Sequence, residues 1–267
     1  MTLATYFSQH PLFTTDELAA HFAARGSSNI WTRKSLLAHH EKQQRLLRIR
    51  RGLYAVVPPG VDPDEAPVDP YLVASKLSPD AVLAYHTALS FHGKAYSVLS
   101  RFDYLTVTAA RPFTFRGNQF RPVLFPKRLR ESGHEMFEVR VADRRGIEVR
   151  VTSLERAMVD VLDRPDLATG WEEIWRSLEA VEFYDLDRVV EYATLLGNAT
   201  TIAKVGYFLE QHRDTLMVEE THLKRLRERR PKEAHYIADR KAPSRLVPAW
   251  NIIVPLAIIE RTWEEPA

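Results

Sequence analysis

There is no cysteine in the chain, and that absence removes several chemistries together. A disulfide scaffold, a thiol nucleophile and every cysteine-based zinc site are excluded, and a reducing compartment fits. Long apolar runs are also missing. The most apolar late stretch, Trp250 to Ile259, contains Pro255 and is far too short to span a bilayer. The opening Met-Thr-Leu-Ala-Thr-Tyr-Phe has no basic region leading into an apolar core, so no signal peptide is read and a cytoplasmic protein is expected. With 10 glycines, no Gly-x-Ser-x-Gly elbow, Walker loop or dinucleotide fingerprint can be found. No cofactor or metal is implied.

What is present is an uneven distribution of charge. The net charge is only +2, yet Arg25 to Arg51 holds eight Lys/Arg against the single acidic Glu41. Ser153 to Leu195 holds eleven Asp/Glu against four Arg. Faces of opposite sign suggest separate jobs. At 45% apolar and 27% charged residues the composition is ordinary for a globular chain, of one large or two unequal domains.

The first sixty residues read as helices followed by a hairpin. Leu3, Tyr6 and Phe7 suggest a short helix ended before Pro11. Thr14 and Glu17 have capping-box spacing, and Phe13 and Leu18 can form a hydrophobic staple, so a second helix runs to about Ala24. Arg25-Gly26-Ser27-Ser28-Asn29 is turn chemistry, and a third helix follows from Ile30 to about Gln44. Leu46 to Val57 then alternates as two strands around Gly52. This is the plan of a winged helix-turn-helix, with the third helix expected in the major groove of double-stranded DNA. Arg33 and Lys34 suit guanine edges or phosphates, and Ser27, Ser28, Asn29 and Thr32 offer short donors. Arg48, Arg50 and Arg51 place cations on the wing, over phosphates or a narrow minor groove. If roughly six of these reach phosphate, log affinity falls with log salt at a slope of about −5.

Residues 1–57 are therefore expected to form a DNA-binding domain, 58–69 a proline-rich acidic linker, and 70–267 a larger domain. In the larger domain a helix is expected near Tyr71 to Lys76, and another from Ala81 to His92 with Ser78 as its cap. A strand follows at Arg101 to Thr108, then hairpins around Arg116-Gly117-Asn118 and Asp143 to Gly146. Thr152 to Glu155 has capping-box spacing, and the pattern is then mostly helical to about Leu226. Apolar runs around Tyr236 and Trp250 to Val254 could return to the sheet. The fold class is thus α+β, with an antiparallel or mixed sheet.

Catalytic chemistry is hard to assemble here. Glu155 and Asp160 are five apart, projecting about 140° from each other on a helix, and Asp163 and Asp166 flank Pro165 in a loop. His86 and His92, six apart, do not share a helical face as a zinc-binding pair would. Glu138-Val139-Arg140 and Glu148-Val149-Arg150 superficially resemble a Glu-x-Lys nuclease core, but cross-strand charge pairs explain them more simply. No enzyme is expected. The competing readings are a metal-dependent nuclease or hydrolase using these carboxylates, and an interaction adaptor using the acidic Ser153–Leu195 face.

Four stretches together carry a family resemblance. Leu47-Arg48-Ile49-Arg50-Arg51-Gly52-Leu53-Tyr54 resembles the "RV-RGLY" hairpin of AbiEi-type antitoxins, which belong to type IV toxin–antitoxin, or abortive infection, systems. Ala84 to Gly93 resembles that family's "SAL-xx-HG" segment, with Thr87 where serine is usual. Ser153 to Asp160 is similar to its "ERTLLD" helix, and Lys204 to Glu210 to its "LGYLLE" helix. Order and spacing hold over roughly residues 5 to 255. The longer third helix, with His39 and His40, departs from the pattern. The resemblance implies a winged helix that binds inverted repeats in its own promoter and represses the operon. It also implies a larger domain that neutralises a cognate nucleotidyltransferase-type toxin without a stable complex. The Gly-Ser and paired aspartates expected of the toxin itself are missing, which places this chain on the antitoxin side.

Overall fold

The computed structural model describes residues 3–26 and 30–263, apart from the side chains of residues 30–33. The chain begins with α1 (Leu3–Gln9), β1 (Leu12–Thr14), α2 (Thr15–Ala23) and α3 (Ile30–Lys42). The expected cap of α2 forms: Glu17 N–H donates to Thr14 Oγ1 at 3.1 Å and Thr14 N–H to the Glu17 carboxylate at 2.7 Å. Phe13 and Leu18, flanking that cap, are both buried.

β2 (Leu46–Arg50) and β3 (Leu53–Val56) make the expected hairpin, and β1, unforeseen, joins it to give an antiparallel sheet in the order β1-β3-β2. Both faces of this sheet are buried. Phe13, Leu46 and Tyr54 pack with Tyr6, Leu18 and Leu37 in a small core. Leu12, Ile49, Leu53 and Ala55, pointing the other way, belong to the core of the larger unit. Residues 1–57 and the rest therefore share one sheet as a common wall.

The 58–69 segment does not hang free between them. Ala66 is buried, the Arg116 guanidinium donates to the carbonyls of Pro63 and Ala66, and Asp69 caps α4 (Pro70–Ser75) while pairing with Arg144 at 2.8 Å. A proline-rich composition stiffens the segment, and these contacts fasten it to the sheet behind.

That sheet is mixed and six-stranded, in the order β6-β7-β5-β4-β9-β8. Its strands are β4 (Val82–Leu83), β5 (Arg101–Thr106), β6 (Phe113–Phe115), β7 (Asn118–Leu124), β8 (Val139–Arg144) and β9 (Ile147–Thr152). The β6–β7 and β8–β9 hairpins turn through Arg116-Gly117 and Arg145-Gly146, all four with positive φ. Such two-residue turns match the twist of the strands they join.

The helix expected from Ala81 to His92 is replaced by β4, a reversal at Tyr85, and a shorter α5 (His86–Phe91). An apolar run such as Ala81-Val82-Leu83-Ala84 is ambiguous between strand and helix, and burial in the centre of the sheet decides for strand. Tyr85 carries φ 57 and ψ −137. Asp80, expected inside the helix start, instead ties the β4 entry to β5 by accepting from Thr106 Oγ1 at 2.9 Å.

Helices α7 (Leu154–Asp163), α8 (Trp171–Glu179), α9 (Leu186–Leu196), α10 (Ala199–Gln211) and α11 (Glu220–Arg227) follow. α6 (Lys127–Ser132) precedes them, between β7 and β8. The cap of α7 is Ser153, which accepts from Arg156 N–H at 3.3 Å. The expected box from Thr152 to Glu155 is displaced by one residue, and Glu155 instead accepts from Asp185 N–H at 3.2 Å. The late apolar runs do not return to the large sheet. They form β10 (His235–Tyr236), β11 (Ser244–Val247) and β12 (Ile252–Pro255), a separate sheet in the order β10-β12-β11. The fold is α+β. Among the described residues no helix is long and apolar enough to cross a membrane.

Candidate nucleic-acid interface

α3 lies against β2 and, of its described side chains, buries only Leu37. Lys34, Ser35, Ala38 and Lys42 are exposed. The spacing of Lys34, Ala38 and Lys42, four apart, places them on one helical face. Of the residues expected at the bases, Ser27, Ser28 and Asn29 lie outside the described residues, and Thr32 and Arg33 sit in the first turn of α3 without described side chains.

On the hairpin, Arg48 and Arg51 are exposed. Arg50 is a correction. It was expected beside Arg48 on the wing, but its guanidinium turns inward and donates to the Leu77 carbonyl behind α4. The reason is a bulge between Arg48 and Arg50. Arg48 stands opposite Tyr54, on the face toward the helices, whereas Arg50 stands opposite Leu53, on the face toward the larger unit. One extra residue in a strand reverses the face of everything after it.

The carboxylates considered for catalysis are each engaged locally. Asp160 accepts from Tyr192 OH at 2.6 Å and from buried Arg156 at 3.4 Å. Burial pushes its carboxyl up to about 6, against the opposing pull of Arg156 and Tyr192. Asp163 accepts from Asn198 and Thr201, and Asp166 from Arg164. Arg156 also donates to the carbonyls of Glu135 and Phe137 at 2.7 and 2.6 Å. These residues lock α7 to α9 and α10 in the middle of the larger unit.

His86 Nε2 lies 2.9 Å from Glu173, and His92 Nε2 donates to the Thr152 carbonyl at 2.9 Å. Burial lowers the His86 imidazole below its ordinary range. Burial alone would raise Glu173, but hydrogen bonds from Ser97, His86 and Ser177 hold it low. Among the described residues no three His, Asp or Glu side chains gather as a metal ion would require.

The expected cross-strand charge pairs on β8 and β9 do not form. Arg150 stands opposite Val141, Arg140 opposite Val151, and Asp143 opposite Glu148. Arg140 pairs with Glu138 at 3.4 Å, while Arg150 donates to the Pro79 carbonyl at 3.1 Å. The acidic Ser153–Leu195 stretch is likewise broken up, with Glu155, Asp160 and Glu173 buried and Glu191 paired with Arg188.

The site that sequence reasoning missed is the seam between the two units. Arg50, Arg51, Lys76 and Arg150 converge there from the hairpin, the end of α4 and β9. The sequence distance from 50 to 150 leaves no local signal for it.

No family model matches the chain, and no curated protein does. Among solved structures, the chain is similar to the crystal structure of the RV2827C protein from Mycobacterium tuberculosis. The TM-score is 0.61 at 16% identity, over 95% of this chain and 90% of that one. At that identity the likeness shows the fold alone, and it extends over both units.

Proposed function

We propose that the protein is a sequence-specific DNA-binding repressor of its own operon and the antitoxin of a nucleotidyltransferase-type toxin. The observation that carries the DNA half is the outward face of α3. Lys34, Ser35, Ala38 and Lys42 are exposed there, and exposed Arg48 and Arg51 lie on the neighbouring hairpin. Helices followed by a hairpin, with the third helix presented outward, is the arrangement a winged helix uses to enter a major groove. The excess of cations from Arg25 to Arg51 supplies the phosphate attraction.

The antitoxin half is supported by the four AbiEi-like stretches. Three of them, on α5, α7 and α10, pack against one another through α7. Several of their polar residues, among them Arg156, Asp160 and Lys204, are buried. They serve as framework, leaving the surface to engage partners.

The test is an electrophoretic shift with the DNA upstream of the protein's own gene, across a salt series. Specific retardation with a log–log salt slope of about −5 is expected. Lys34→Ala or Arg48→Ala should each weaken binding and reduce that slope by about one. A wild-type protein that retards its upstream DNA no better than unrelated DNA would overturn the repressor assignment. Co-expression with a neighbouring nucleotidyltransferase-like gene tests the other half, with restored growth expected.

A further inference from the structure

The seam between the two units forms a cavity of about 650 Å³, open on one side to solvent. One wall is the start of α2 and the hairpin turn Arg50-Arg51-Gly52. The other is the end of α4, with Arg150 on the outer face of β9. The volume falls within the range of small-ligand pockets.

Four cations, Arg50, Arg51, Lys76 and Arg150, face three carboxylates, Asp16, Glu17 and Glu148. Lys76 and Glu17 neutralise each other through a direct pair. The three arginines have no such partner: among the described residues none has a carboxylate within 4.0 Å. Arg50 and Arg150 are instead held by neutral carbonyls, those of Leu77 and Pro79. A carbonyl orients a guanidinium without cancelling its charge, and each guanidinium has five N–H donors, most of them left over. Guanidinium forks without a direct ion-pair partner suit the tetrahedral oxygens of a phosphoryl group. Among the described residues no aromatic side chain lines the cavity to stack a base, so recognition falls on the phosphoryl groups themselves.

We propose that this seam is a phosphate-recognition site bridging the hairpin and the larger unit. Its occupant carries adjacent phosphoryl groups, either as a small free polyphosphate or as the backbone of DNA reaching past the hairpin turn. The second source rests on the DNA-binding reading above, and the first does not. Arg50 and Arg51 thereby belong to a phosphate site, together with Arg150 from a hundred residues away.

The experiment is titration calorimetry of the full chain at low salt with inorganic pyrophosphate, and separately with a duplex of unrelated sequence. Two variants move affinity in opposite directions. Arg150→Gln removes a fork and should weaken binding about ten-fold. Glu148→Gln removes an opposing charge and should tighten it a few-fold. A merely structural disturbance does not produce that pair of signs, and circular dichroism checks that both variants fold.

Pyrophosphate binding with those shifts identifies a free phosphate ligand. Absent pyrophosphate binding, the same shifts with the duplex identify the DNA backbone. Wild-type protein that binds neither, or binds both with affinities that Arg150→Gln leaves unchanged, overturns the proposal. Pyrophosphate binding in a protein that does not prefer its upstream DNA would overturn the repressor reading and leave the phosphate site standing.

Discussion

At the scale of single residues, the polar groups most visible in the sequence turn out to hold the fold together. Gly206, in the stretch that resembles an antitoxin helix, shows why that position is glycine. A Cβ there would come within 2.1 Å of the ring of fully buried Trp250, whose indole N–H donates to Glu210 at 2.7 Å. Alanine ordinarily favours a helix by about 1 kcal/mol over glycine, but overpacking costs about 1–3 kcal/mol. Gly206→Ala is expected to lower stability in urea denaturation, and an unchanged midpoint would contradict the close packing.

His86 makes a second prediction at this scale. Burial holds its folded pKa below its ordinary 6.5, so the stability it contributes is present above pH 6.5 and is lost as pH falls through the lower folded value. Asp160 runs the other way. Its carboxyl is raised from 3.8 to about 6, so its contribution is present at low pH and is lost as pH rises through about 6. His86→Gln keeps a donor toward Glu173 without titrating. Between pH 7.5 and 5.5 the wild type should lose more stability than this variant, by up to about 1.4 kcal/mol per pH unit below 6.5. Parallel thermal-midpoint profiles for the two proteins would rule this out.

At the scale of elements, the hairpin of β2 and β3 is the informative piece. Its strands and glycine turn are legible because local alternation and Gly52 specify them. Its burial on both faces is hinted at by Leu46-Leu47 and Ala55-Val56-Val57, where apolar residues fall on both parities. The bulge that turns Arg50 inward has no comparable signature, since the extra residue is placed by packing on each side. Leu53, buried toward the larger unit, should cost about 2–5 kcal/mol as Leu53→Ala. The loss should appear in the stability of the larger unit as well as that of the first, as amide exchange in β4 and β5 would report.

For the whole molecule, a shared wall means shared stability. The sheet β1-β3-β2 contributes to both cores, so a single cooperative thermal transition is expected despite the proline-rich 58–69 segment. Calorimetry resolving two well-separated transitions would refute this. A fragment of residues 1–57 would expose Leu12, Ile49, Leu53 and Ala55, and so small a unit has little core to spare. It is expected to be poorly folded alone. Orientation of α3 relative to the larger unit is correspondingly set by packing.

The sequence alone determined the elements whose causes are local. The capped α2, the hairpin turns at Arg116-Gly117 and Arg145-Gly146, the run of helices after Ser153 and the α+β class all follow from short-range chemistry. Only the tertiary structure decided what depends on contact between distant segments. Val82-Leu83 became a central strand because the sheet buries both of its faces. Ile252 to Val254 went to a separate sheet, with Trp250 in the turn before it. The carboxylates of α7 were taken up by Arg156, Tyr192 and Thr201, and Arg50 met Arg150 across a cavity. In each case the deciding energy is desolvation and packing between residues that sequence order keeps apart.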